Sequence, residues 1–173
     1  MIAVGKLQLI FLITMLMVGC ASVKLEPYRV PGSISSYVTI KDRPFRIGMS
    51  EYEKIVSIDR KRVDSKSRGV PEDVGLDHND LKNVIVLAVG VRKLHIEACK
   101  FYFNVINIFF GSPWRCANSV IRLEASPGFQ YRVRAILNKK DDYADFWIES
   151  IESGDKVIEP IRVLGLGSFR KFN

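Results

Sequence analysis

Two histidines in 173 residues, His78 and His95, leave little from which to build acid–base or metal chemistry. Neither joins a serine on a nucleophile elbow and an acid, so a Ser/His/Asp hydrolase has no support. Cysteine is scarce as well. Cys20, Cys99 and Cys116 include no CxxC pair, which argues against catalytic thiol chemistry. Two cysteines with distant histidines also make a poor zinc site. No glycine-rich loop is placed to cradle phosphate, and Gly165-Leu166-Gly167 has no helix after it to complete a dinucleotide fingerprint. Internal repeats, low-complexity tracts and nucleic-acid motifs are lacking, which excludes solenoids and gives no reason to expect nucleic acid as a partner. The longest apolar run, Leu7 to Val18, is twelve residues, interrupted only by Gln8 and Thr14. A permanent membrane-spanning helix needs about 20. The expectation is therefore a protein without a catalytic site, a cofactor or a metal.

What is present reads as a folded domain with an N-terminal appendage. Hydrophobic residues make up 47% of the chain and charged residues 26%, which are ordinary globular values. The formal net charge is +7, and removing residues 1–19 takes away only Lys6, leaving +6. A moderately basic surface suits lipid headgroups or an anionic cell-wall polymer, and it also serves plain solubility.

Residues 1–19, MIAVGKLQLIFLITMLMVG, combine a positive start at Lys6, the short apolar run and a cluster of small residues at Gly19, Cys20, Ala21 and Ser22. That is the layout of a signal peptide. Met17-Val18-Gly19-Cys20, with Leu16 before it, resembles a bacterial lipobox. The resemblance implies a diacylglycerol on the Cys20 sulfur, cleavage before Cys20 and an acylated new N-terminus. Ala21 stands where an aspartate would favour retention in the inner membrane, so the resemblance implies a lipid anchor in an outer membrane, facing the periplasm. An uncleaved anchor, or an ordinary signal peptide with an incidental cysteine, is the competing reading. Residues 20–36, with Pro27, Pro31, Gly32 and several serines, read as a tether.

With Cys20 assigned to lipid, an even pair remains. In an oxidising compartment the pair reads as a Cys99–Cys116 disulfide, with two buried free thiols as the alternative. Strands at Arg92–Phe103 and Ala117–Ala125 can hold it. An antiparallel register set by 99 and 116 also places Ile96 opposite Ser119 and Leu94 opposite Ile121.

From Tyr37 onward the chain reads as all-β: an antiparallel β-sandwich or open barrel over residues 37–173. Candidate strands are Tyr37–Ile40, Phe45–Ile47, Lys54–Ile58 and Val84–Val89, interrupted by Gly90. Asp64 to Lys82 is polar, without periodicity, and reads as a long loop. Phe129, Tyr131, Val133, Ala135 and Leu137 alternate with Gln130, Arg132, Arg134 and Ile136, the pattern of a half-buried strand. Asn138–Asp142 and Ser153–Asp155 read as turns around a strand at Asp145–Ile151. Lys156–Leu164 returns the chain, and Pro160 places that strand at an edge.

Three further pieces carry a second resemblance: Val89–Ile96, Leu123–Val133 and Phe146–Ile151 before Gly154. Together, over roughly residues 54–163, they resemble small β-sandwich envelope lipoproteins and surface domains. That resemblance implies a fold and carries over no functional residues.

Two other segments stand out. Asp77-His78-Asn79-Asp80 is dense in polar ligands but lacks the spacing of a calcium loop, and reads as solvated. His95 shares a strand face with Glu97 and Cys99 and reads as structural. Val105 to Trp114 (VINIFFGSPW) is unusually apolar for a hairpin connection. Ile108, Phe109, Phe110 and Trp114 are candidate contacts with a partner or a membrane interface; the alternative is that they fill the core. The sequence thus supports two functions: a non-enzymatic structural or interaction module on the envelope, or a domain that holds a small molecule or envelope polymer. Its partners would be membrane lipid through Cys20 and an envelope protein or anionic polymer.

Overall fold

The computed structural model describes residues 25–29, 37–44, 46, 50–64, 83–102 and 113–168. They form ten strands in two five-stranded sheets. These are β1 (Tyr37–Lys41), β2 (Glu51–Ile58), β3 (Lys61–Arg62), β4 (Val84–Ala88), β5 (Gly90–Phe101), β6 (Trp114–Ala125), β7 (Gln130–Asn138), β8 (Tyr143–Ser150), β9 (Lys156–Leu164) and β10 (Gly167–Ser168). The first sheet runs β4-β1-β7-β8-β9 and the second β10-β6-β5-β2-β3. The architecture is a sandwich. It is antiparallel except for one pair, β1 with β7, which run side by side in the same direction.

Alternation along each strand explains the layers. Tyr131 and Val133 on β7, and Ala144, Phe146 and Ile148 on β8, turn inward while their neighbours face water. Facing them are Leu94, Ile96 and Ala98 of β5 and Ile121 and Leu123 of β6. Ile55 and Ile58 of β2 join the same core although they are three residues apart, which a regular strand would put on opposite faces. A bulge between Ile55 and Ser57 restores the alignment. The interior is mostly aliphatic, with Phe146 its largest fully buried side chain.

A single residue, Val89, separates β4 in the first sheet from β5 in the second. The turn is made at Gly90, whose φ of +99° lies where L side chains are strained. Arg92 holds the corner, donating from Nε to the Ala88 carbonyl (2.9 Å) and from Nη2 to the Val89 carbonyl. Its third contact is Asp59 in the β2–β3 turn, 3.1 Å away.

Several expectations change in detail. β2, β5 and β6 start three, two and three residues earlier than the pattern suggested, at Glu51, Gly90 and Trp114. Arg46 is not in a strand; its neighbours Phe45 and Ile47, and most of the polar loop, lie outside the described residues. Phe129 precedes β7 and is 48% exposed, stacked on Tyr131 rather than inside the core. β9 does lie at an edge, as Pro160 requires.

The reading of residues 20–36 as a free tether is corrected at 25–29. Pro27 bridges Arg62 in parallel, and Tyr28 is buried in the core with its hydroxyl donating to the Val86 carbonyl (3.0 Å). A tyrosine between two prolines reads as linker because its partners, β3 and β4, are far off in sequence.

Candidate functional site

The β5–β6 ladder is unbroken over twelve rungs, from Gly90–Ala125 to Phe101–Trp114. At the latter end two polar and aromatic features lie close together. The first is the disulfide. Cys99 pairs with Cys116, as the register predicted, with Ile96 opposite Ser119 and Leu94 opposite Ile121. Alternation puts both cysteines on the outer face of the second sheet, since Ala98 and Ala117 take the inward positions. The disulfide is nevertheless sheltered, because Tyr52 lies opposite Cys99 and packs over it together with Trp114. The Trp114 ring meets Tyr52 at 5.8 Å and Phe101 edge-on at 5.4 Å.

Trp114 is thus half-buried at the start of β6, packed against Tyr52 and Phe101. Ile108, Phe109, Phe110 and Cys20 lie outside the described residues, as does the Asp77–Asp80 cluster. Among the described residues no group of three or more acids, histidines and cysteines is arranged to hold a metal.

Glu97 is buried on the same outer face, two residues before Cys99. It accepts from the Tyr52 hydroxyl (3.1 Å) and pairs with Lys54 Nζ (2.8 Å). Burial, and then the Glu97 charge, push the Tyr52 phenol well above the ordinary tyrosine range. His95, further along that face, is half-buried.

The second feature is a polar cleft of about 230 Å³ lined by Lys41, Asp42, Arg43, Glu53, Asn83, Arg132, Val133 and Arg134. The end of β1 supplies Lys41, and β7 supplies the two arginines on its solvent face. Glu53 sits at an inward position opposite Ala98 and is buried. A buried carboxylate needs a cation. Arg43 provides it with Nε to Glu53 Oε2 (2.8 Å) and Nη2 to Glu53 Oε1 (2.9 Å), and Nη2 also reaches Glu51 (3.0 Å). The Glu53 contacts raise the Arg43 guanidinium above its usual range. Partial burial works to raise the Glu51 carboxyl, but Arg43 and Lys100 outweigh it and hold Glu51 below its usual range. Asp42 accepts from the Ile55 amide (2.7 Å) and so ties the cleft to β2.

Two arginines share one acid at the far wall. Arg134 lies 2.9 Å and Arg132 3.6 Å from the same oxygen of Glu149. The described lining thus holds four cations, two acids, an amide and no serine, threonine, cysteine or histidine. Four cations against two acids give the described lining a positive balance, complementary to an anionic or zwitterionic group. The volume falls below the roughly 300–1,000 Å³ of drug-sized ligand sites. Sequence reasoning missed this cleft. Arg43 and Glu53 are ten residues apart, and only the outward alternation of Arg132 and Arg134 was visible.

No family model, curated protein or solved structure matches the chain. Among the described residues no helix is long and apolar enough to cross a membrane.

Proposed function

We propose that the protein is an envelope lipoprotein, held by lipid on Cys20 in an outer membrane and facing the periplasm, whose sandwich is a non-enzymatic interaction module. The Cys99–Cys116 disulfide carries the reading. A stable disulfide suits an oxidising compartment outside the cytoplasm. It also uses both other cysteines, which leaves Cys20 as the one thiol, placed directly after a short apolar run and small residues. The charged, positively balanced lining of the cleft supports binding as the activity.

Mass analysis of the N-terminal peptide from envelope preparations tests the anchor. The expected product begins at an acylated Cys20, incorporates labelled palmitate and has no free thiol; Cys20→Ser incorporates none. A mature protein with an unmodified Cys20 would overturn the reading.

The cleft supports a second reading, in which the module holds a small carboxylate- or phosphate-bearing molecule between Arg43, Arg132 and Arg134. Thermal shift with inorganic phosphate and simple carboxylates decides it. Stabilisation that disappears in Arg132→Gln/Arg134→Gln favours ligand binding, and identical curves with and without anion remove it.

A further inference from the structure

We infer that the sandwich stands on its β2–β3 hairpin, with Arg60, Lys61 and Arg62 held against the anionic headgroups of the bilayer that carries the N-terminus. This rests on the anchoring reading above and deepens it from an anchor to an orientation.

The path of the entering chain sets the geometry. Arg62 N donates to the Glu26 carbonyl, and Tyr28 N donates to the Arg62 carbonyl, both at 2.6 Å. The Pro27–Arg62 bridge is parallel, so residues 25–29 run in the same direction as β3. Going backward from Tyr28 to Leu25 therefore leads toward the turn at Asp59 and Arg60. Buried Tyr28 fixes this segment to the core. Leu25 is five residue steps from Cys20, a reach of at most about 17 Å, where a free tether through Ser36 would allow about 55 Å. The hairpin turn is thus the part of the described domain nearest the lipid.

Charge at this turn is complementary to an anionic surface. Arg60, Lys61 and Arg62 are all exposed. The neighbouring Asp59 carboxylate is engaged by Arg92 and by the Lys93 amide. Exposed acids at the same end are Glu26 beside Arg62, Glu124 on β6, and Glu152 and Asp155 around the β8–β9 turn of the other sheet, while exposed Lys93 and Arg122 add to the three basic residues of the hairpin, so the second sheet carries a positive balance here. Exposed-charge interactions fade over about 8 Å at physiological salt, so only groups at this end feel the headgroups. An acyl anchor with a basic patch is a stable two-signal arrangement. The twelve-rung ladder then lifts the disulfide end and the cleft by about 37 Å, facing away from that bilayer.

The test uses the full chain reconstituted in phosphatidylcholine vesicles, with or without phosphatidylglycerol, and a water-soluble amine-acylating reagent read by peptide mass. Lys61 reports the β2–β3 turn; Lys139 and Lys140, exposed in the β7–β8 turn, report the opposite end. Labelling of Lys61 relative to Lys139 and Lys140 is expected to fall several-fold when phosphatidylglycerol is present and to recover in high salt. Equal labelling in both vesicle types, or protection of Lys139 and Lys140 instead, overturns the orientation. The same spectra give the mass of Cys20. Protection of Lys61 with an unmodified Cys20 removes the lipoprotein reading alone, whereas acylated Cys20 without protection removes the orientation alone.

Discussion

At one end of the β5–β6 ladder the Phe101–Trp114 rung stands beside a disulfide, the Tyr52 ring and two buried acids with their cations. At the other, the Gly90–Ala125 rung ends in a one-residue corner that Arg92 clasps through two carbonyls. Both ends hold strands in register, by different means. The first uses a covalent link that acts mainly by constraining the unfolded chain. The second uses backbone conformation and a few hydrogen bonds that exist only in the folded state. The difference predicts that damage to the first end is deep and redox-dependent, while damage to the second is local and indifferent to reductant.

The largest effect belongs to the disulfide. Cys99→Ala/Cys116→Ala is expected to lower unfolding free energy by about 3 kcal/mol, as read by urea titration, and wild type in reductant should fall toward the same midpoint. A loss that reductant fails to reproduce would assign the effect to side-chain packing and break the contrast between the ends. Next comes Gly90→Ala, which forces a β-carbon onto a φ of +99° and should cost about 1–2 kcal/mol. There is room for the added atom, since its nearest neighbour would be Arg92 Nη2 at 3.9 Å. The cost is therefore conformational, and it should be the same with and without reductant. A Gly90→Ala cost exceeding that of the disulfide would invert the comparison.

The smallest effect is a pH dependence at the disulfide end. The folded-state pKa of Tyr52 is raised, chiefly by burial and then by Glu97, above an unfolded value of about 10. Its contribution is fully present below that value and is lost as pH rises toward the folded one. Tyr52→Phe should be less stable than wild type at pH 9 by about 1 kcal/mol, for the lost hydrogen bond to Glu97. The gap should narrow by pH 11, because the variant has no phenol to ionise on unfolding. Tyr28 is also raised by burial, so some alkaline loss remains in both proteins. Parallel curves from pH 9 to pH 11 would exclude Tyr52 as the titrating group.

Features set by neighbours along the chain were legible in the sequence. Alternation gave β7 and β8, Pro160 marked β9 as an edge, and the two cysteines fixed the β5–β6 register because an antiparallel ladder has only one free number. Features set by distant partners were not. The bulge in β2 serves the core position of Ile58 and has no local signature. The parallel β1–β7 pair joins strands about ninety residues apart. Tyr28 seemed to lie in a proline-bounded linker, and only β3 and β4 make it core. The Arg43–Glu53 pair is likewise invisible until a backbone pairing brings the two together.

The placement of the disulfide on the outer face rather than between the sheets has a consequence for biogenesis. Leu94, Ile96, Ala98 and their partners on the opposite sheet bury themselves without any sulfur among them. Collapse and oxidation are thus separable events. A newly made chain can form its aliphatic interior while both thiols are still reduced, with Cys99 and Cys116 already opposite one another. The pair lies on the outer face, under Tyr52 and Trp114 and not between the sheets. A wrong partner choice is then limited by register, and a mature molecule that loses the bond keeps the template that re-forms it.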